Sequence, residues 1–393
     1  MQMKKNKFTI TLGYLALLAG FVGAGQAANA QTYAVTDLGV LPDKKMSSPA
    51  AINNQEQVAG TSFAAADNQS AFVYSNPKGA MDELGQSMTG SVNRAFGINN
   101  AGVVVGDSTF GGAAFGPSPY SHAALYSNGS GYDLGSLKIG EYSRANGINL
   151  AGVVVGFSGA KLDGTSSRAF AWSAKTGMID IGTLGGAYAA AFSINDAGFI
   201  TGNSETANSK IGRGTHAFLY HSGAFSAFNA MRDLGTLGGD SSYGTFINAN
   251  NHVVGYSTNN DGRVHAFLHA GVKMEDLGSL GGKAPQSDQS FALGVNAADQ
   301  VVGYTYLPLD QAGALKQPQP VAFFCQNGAM LDLNELIGTA AKSYRLTSAT
   351  AINDKGQIIA NALEYGSGTY HAVLLTPVKT DPPQQRSVRN ARR

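Results

Sequence analysis

The chain of 393 residues has a single cysteine, Cys325, a single tryptophan, Trp172, and few charges. With one cysteine there is no internal disulfide, so the folded state must draw its stability from burial. Charged residues make up 13%, about half the ~25% of an average soluble chain, which argues against a coiled coil, a long solvated helix or a charged disordered body. Proline is scarce at 12 residues while glycine reaches 51. Without a Gly-X-Y period that balance excludes collagen and suits short strands joined by tight turns. No apolar run reaches the ~20 residues of a membrane-spanning helix, so no membrane span is expected. There is no G-x-S-x-G elbow, phosphate loop or H-E-x-x-H either, so the sequence offers no catalytic residue and no cofactor site.

The ends differ from the body. Lys4, Lys5 and Lys7 precede an apolar stretch, 8–22, and Ala28-Asn29-Ala30 supplies a small-x-small cleavage pattern. Residues 1–30 therefore read as a secretory signal peptide cut after Ala30, with export to the periplasm or the medium. Residues 379–393 hold Lys379, Arg386, Arg389, Arg392 and Arg393 against Asp381 and read as a basic, disordered tail. The body, 31–378, carries 19 basic and 25 acidic residues, and that mild acidity gives no footprint for nucleic acid.

What the chain has in abundance is internal repetition. An Asn preceded by Ile or Val recurs seven times, at Asn53, Asn99, Asn149, Asn195, Asn248, Asn296 and Asn353, at a mean spacing of 50 residues. Each copy follows a small-residue strand and leads through a tight turn into Val-Val-Gly or a variant, with Ala360 replacing the glycine in the seventh copy. The fourth position of the turn is Gly102, Gly152, Gly198, Gly356, Asn251 or Asp299, residues that tolerate positive φ; Glu56 breaks the rule and should strain its turn. Each Asn reads as a turn residue bonding the backbone ahead of it. A third stretch follows, typified by 216–220 (His-Ala-Phe-Leu-Tyr), and then Asp-Leu-Gly or a variant.

Four strands per copy and seven copies predict an all-β fold, a seven-bladed β-propeller of four-stranded antiparallel blades. The body opens with a lone fourth strand, 33–39, and closes with a lone third strand, 371–376; these should pair and close the ring. The composite of His-Ala-Phe, Asp-Leu-Gly-x-Leu-Gly-Gly, Ala-x-x-Ile-Asn and Gly-x-Val-Val-Gly resembles the bacterial extracellular repeat, HAF family, over 33–376. The resemblance implies an exported repeat protein and brings no catalytic residues with it.

The remaining candidates for chemistry read as structure. His122, His216, His265 and His371 share one repeat position, where other copies have Ser70, Arg168 and Val321. A metal ring is disfavoured because blades rotate equivalent positions apart, and each His is expected to bond a neighbouring blade's backbone. The Asp of Asp-Leu-Gly, one per blade, is too dispersed for paired-carboxylate chemistry. The 259–262 segment (Asn-Asn-Asp-Gly) resembles part of a calcium loop but reads as a hairpin, and Cys325 as packing. Ligand contacts are expected on the face of the b–c connections, 107–121 with Phe110, Phe115 and Tyr120, and 304–320 with Tyr304 and Tyr306. The function expected is a non-enzymatic, monomeric binding scaffold for a glycan, a surface component or a protein. An extracellular polysaccharide hydrolase or lyase and a purely structural envelope protein are the alternatives.

Overall fold

A computed structural model describes residues 31–378 apart from 66–67, 76–78, 86–91, 111–119, 139–140, 160–166, 208–213, 222–230, 283, 285 and 308–317. The expected signal peptide, the basic tail and Phe115 lie outside the described residues.

Seven four-stranded antiparallel sheets form the ring. In blade 5 the strands, lettered a to d from the axis outward, are Gly238–Ile247, Val253–Asn259, Val264–His269 and Met274–Asp276. The other blades repeat that order, except that blade 7 takes strands a to c from 344–378 and its strand d from the start of the body. Thr32–Asp37 pairs antiparallel with Tyr370–Val378, Tyr33 opposite Pro377 and Asp37 opposite Val373. The predicted closure is present, two residues shorter at its end than 33–39 because Leu38 and Gly39 already belong to the crossover. Seven clusters of buried apolar side chains hold the ring, one at each interface between neighbouring blades.

The Val-Val-Gly motif has a steric cause. A Cβ on Gly106, Gly156, Gly202, Gly255 or Gly303 would lie 1.7 to 2.0 Å from a strand-a carbonyl oxygen. Only glycine lets strand b approach that closely, and strand a answers with a β-bulge at one repeat position, three residues before the Asn. In five blades a fully buried Phe of strand c (Phe72, Phe170, Phe218, Phe267, Phe323) sits opposite this glycine. Blade 7 changes both partners, placing Ala360 opposite Val373, so the smaller strand-c side chain accompanies the larger strand-b residue. Gly255→Ala should therefore cost about 3 kcal/mol in chemical denaturation, the upper range of overpacking. Ala360→Gly should cost no more than about 1 kcal/mol, and equal costs would refute the steric reading.

Candidate functional site

The repeated residues serve the scaffold. All seven repeat Asn side chains are buried. The Oδ1 of each accepts the backbone N–H four residues ahead, as a turn residue should. Positive φ at Glu56, Asn251 and Asp299, of 65°, 65° and 57°, confirms the turn, with Glu56 accepting an ion pair from Lys355. Sequence reasoning missed the other half of each side chain. Asn53 donates Nδ2–H to the Asn99 carbonyl at 2.9 Å, and the pattern continues blade to blade until Asn353 donates to the Asn53 carbonyl at 3.1 Å. A closed circle of seven hydrogen bonds thus rims one end of the axis.

The histidines correct an expectation. They bond the Asp of Asp-Leu-Gly in their own blade rather than a neighbouring backbone: His122 to Asp133, His216 to Asp233, His265 to Asp276, and His371 to Asp37 across the ring closure. Arg168 does the same with Asp180. Each of those Asp side chains also accepts the N–H of the glycine two residues on. The two motifs are halves of one clasp between strands c and d, which explains their recurrence together. Serines complete the joint between blades: Ser47, Ser143 and Ser242 each accept an N–H from the preceding blade's strand c and donate to its Asp-Leu-Gly glycine carbonyl.

His265 also touches Asp288 through Nε2 at 3.0 Å, with Arg263 4.0 Å from the same carboxylate. Its bond to Asp276 raises its pKa against the opposing effect of burial. Burial alone would raise Asp276, but His265 and the Gly278 N–H outweigh it and hold the carboxyl below its usual value. The histidine share of stability is therefore full below its unfolded pKa of about 6.5 and fades as pH rises through the folded value; the aspartate share is present above about 3.9 and fades as pH falls through its own. His265→Gln should cost more stability at about pH 5.5 than at about pH 8.5, by up to ~1 kcal/mol for a buried His whose Asp partner is partly exposed, read from melting at the two pH values. An equal loss at both would contradict this assignment.

The axial channel remains once the scaffold is accounted for. It holds a cavity of about 720 Å³, lined by strand a of all seven blades together with Tyr256 and Tyr304 of strand b. The bulged residue of each strand a, including Phe96, Asn146, Phe192 and Leu293, faces it. At the end away from the Asn circle, nearer the b–c connections, two groups of side chains depart from the repeat. Tyr243, Tyr256, Phe291, Tyr304 and Tyr306 of blades 5 and 6 form a continuous arc of rings. Their successive centroids are 4.9, 5.0, 4.7 and 6.0 Å apart, alternating stacked and edge-on contacts. The hydroxyls of these four tyrosines have no hydrogen-bond partner among the described residues. Tyr188 of blade 4 lies near enough to Tyr243 and Tyr256 to interact with them electrostatically, its hydroxyl accepting from Asn203 Nδ2, while the buried Asn203 Oδ1 has no partner among the described residues. Burial pushes Tyr188 and Tyr256 up to about 12 and also raises Tyr304, so these phenols are protonated donors at neutral pH.

Blades 2 and 3 supply the second group. Asp107, fully buried, receives Arg94 through Nε at 2.7 Å and Nη2 at 2.5 Å, and Arg144 through Nε at 3.1 Å. The Arg144 guanidinium lies 4.8 Å from the centroid of Phe96 and 5.5 Å from that of Phe157. Its Nη groups bond no described residue, and it lines the cavity. Burial, followed by the charge of Arg94, works against its cationic form, and Asp107 opposes them; the net result is a lowered pKa. Two guanidinium groups on one carboxylate leave an excess positive charge here.

The expectation for the b–c face is partly corrected. Strand b runs on through Phe110 and Leu307, so Asp107, Tyr304 and Tyr306 are strand residues, not loop residues. The side chains of Phe110 and Tyr120 lie outside the described residues. Cys325 is buried, and burial pushes its thiol up to about 11. Asn259 accepts the N–H groups of Asp261 and Arg263 in a hairpin turn. The site had a signal in the sequence: Tyr243 and Phe291 stand five residues before the repeat Asn, where other copies have Ser48, Arg94, Arg144, Ala190 and Ser348. Tyr256 and Tyr304 follow the strand-b glycine, where other copies have Thr61, Asp107, Phe157 and Asn203. The informative positions are those at which the repeat stops repeating.

Residues 75–240 match a protein family described as a protein of unknown function, DUF3466. No curated protein matches the sequence. Among solved structures the chain is similar to the β-propeller domain of the trilobed protease from Pyrococcus furiosus, with a TM-score of 0.52 at 9% identity over 86% of this chain and 100% of that one. That likeness is one of fold, and that propeller is described as having an open velcro topology, whereas here the first and last strands pair. Other similar structures are a Mycobacterium tuberculosis puromycin-hydrolyzing peptidase (TM-score 0.44, 10% identity, 86% of this chain and 52% of that one) and the SapL1 lectin in complex with alpha methyl fucoside (TM-score 0.26, 12% identity, 83% and 79%).

Proposed function

We infer that the protein is an exported, non-enzymatic, monomeric propeller that binds a carbohydrate at the aromatic end of its channel. The observation that carries this reading is the arc from Tyr243 to Tyr306. It offers ring faces on which a pyranose can stack, and three tyrosines that line a cavity of ligand size, Tyr243, Tyr256 and Tyr304, whose hydroxyls have no hydrogen-bond partner among the described residues and can meet sugar hydroxyls. The targeting pattern of residues 1–30 and the likeness of the repeats to the HAF family support export.

A second reading has one observation in its favour: arginine and tyrosine lining one cavity also suit a lyase that eliminates across a uronate. A phenolate base would need a lowered pKa, whereas burial raises Tyr256 and Tyr304, so binding is the better reading. Melting the purified chain against a panel of neutral and acidic oligosaccharides tests it. A bound saccharide should raise stability by ~2.7 kcal/mol at a hundred times its Kd, and no unsaturated product should appear in ultraviolet absorbance. A flat panel would overturn carbohydrate binding, and product would establish the lyase.

A further inference from the structure

Charge separates this channel from a plain aromatic groove. The Asn circle at one end and the clasps around the rim are satisfied among themselves, so they have no chemistry to spare for a ligand. At the aromatic end, Arg94 spends its Nε and Nη2 on Asp107, while Arg144 spends only its Nε. The two Nη groups of Arg144 are donors in a fixed planar fork, the geometry that matches a carboxylate. Phe96 and Phe157 pack beside the guanidinium and fix its plane. With one carboxylate between two guanidinium groups, the corner is a cation whose fork bonds no described residue, in a partly desolvated cavity where attraction to an anion is stronger than in water.

We propose that the channel binds an acidic saccharide, with the carboxylate of a uronic acid residue on Arg144 and sugar rings against Tyr243, Tyr256 and Tyr304. The inference rests on the carbohydrate reading and deepens it. Neither group accounts for the ligand alone: the arc would take any pyranose, and Arg144 would take any small anion. The same cavity is lined by both, so the ligand that satisfies it carries a stacking face, hydroxyls and one carboxylate.

Calorimetric titration of the full chain with oligosaccharides of galacturonate, glucuronate and mannuronate, each against its neutral counterpart, tests the proposal. At least one acidic oligosaccharide should bind about tenfold more tightly than its neutral counterpart. Its affinity should fall as salt rises while the neutral affinity holds, because only the charged contact is screened. Arg144→Gln should bring the acidic ligand down to the neutral level and leave the neutral one unchanged. Arg94 keeps Asp107 paired in that variant, and its melting midpoint checks the fold. Tyr304→Ala should weaken both ligands, and sodium acetate alone should not compete at matched concentration. If acidic and neutral ligands bind equally, or acidic affinity is indifferent to salt and to Arg144→Gln, the acidic specificity is wrong and the carbohydrate reading stands. If no saccharide binds, both fall.

Discussion

A chain lacking residues 31–41 should fail to form a cooperatively folded propeller. Those residues supply strand d of blade 7, six paired positions against the last strand, and three buried apolar side chains, Tyr33, Leu38 and Leu41. Tyr33 packs edge-on to Phe324 in the cluster between blades 6 and 7, while Leu38 and Leu41 enter the cluster between blades 7 and 1. Losing large core side chains costs roughly 2–5 kcal/mol each, and three such losses approach or exceed the whole net stability of a typical protein, about 5–15 kcal/mol. The deletion also removes Asp37, the partner of His371, and exposes the edge of strand c. Thermal unfolding should lose its cooperative transition, and a peptide of residues 31–41 added in trans should restore it. A truncated chain melting within a few degrees of the parent would show that closure is dispensable.

Asn248→Ala should be among the most damaging polar substitutions at the repeat positions. Asn248 accepts the N–H groups of Asn250 and His252 and donates to the Asn296 carbonyl at 2.9 Å and to Asp299 Oδ1 at 3.0 Å. Alanine leaves backbone groups of two blades without partners at a buried site, at roughly 1–3 kcal/mol for each one orphaned. The expected loss is about 3–4 kcal/mol by chemical denaturation. Asn248→Asp keeps the acceptor, loses the donor and sets a charge beside Asp299, so it should be at least as harmful at neutral pH. Exposed Asn250, one donor to the Ala297 carbonyl, should cost less than about 1 kcal/mol as alanine. If Asn248→Ala costs no more than Asn250→Ala, the circle is incidental to stability.

The propeller was legible because its scaffold is written in residues that recur. The count of Asn gave the blades, and the unmatched strands at 33–39 and 371–376 gave the closure. Partnerships between blades were not legible, since a spacing of 46 to 57 residues does not say that one Asn side chain reaches the next Asn carbonyl. The histidines went astray for the same reason: their Asp partners lie 11 or 17 residues on in three blades, and in blade 7 at the opposite end of the body. The candidate site was hidden by the regularity itself. Tyr243, Tyr256, Tyr304 and Arg144 look like drift within a repeat until the bulged strand a and the glycine of strand b turn those positions toward one cavity.

The central claim is that recurring residues build the ring while divergent residues at the channel bind the ligand. Saccharide affinity of Tyr304→Ala beside that of Phe267→Ala tests it most directly, with melting midpoints taken on the same samples. Phe267 is fully buried between blades 4 and 5, so its loss should cost about 3–5 kcal/mol of stability and leave the affinity of the folded fraction intact. Tyr304→Ala should lower affinity at least tenfold with a small change in midpoint. Unchanged affinity in Tyr304→Ala, for a saccharide that the parent binds, would place the binding site elsewhere and contradict the claim.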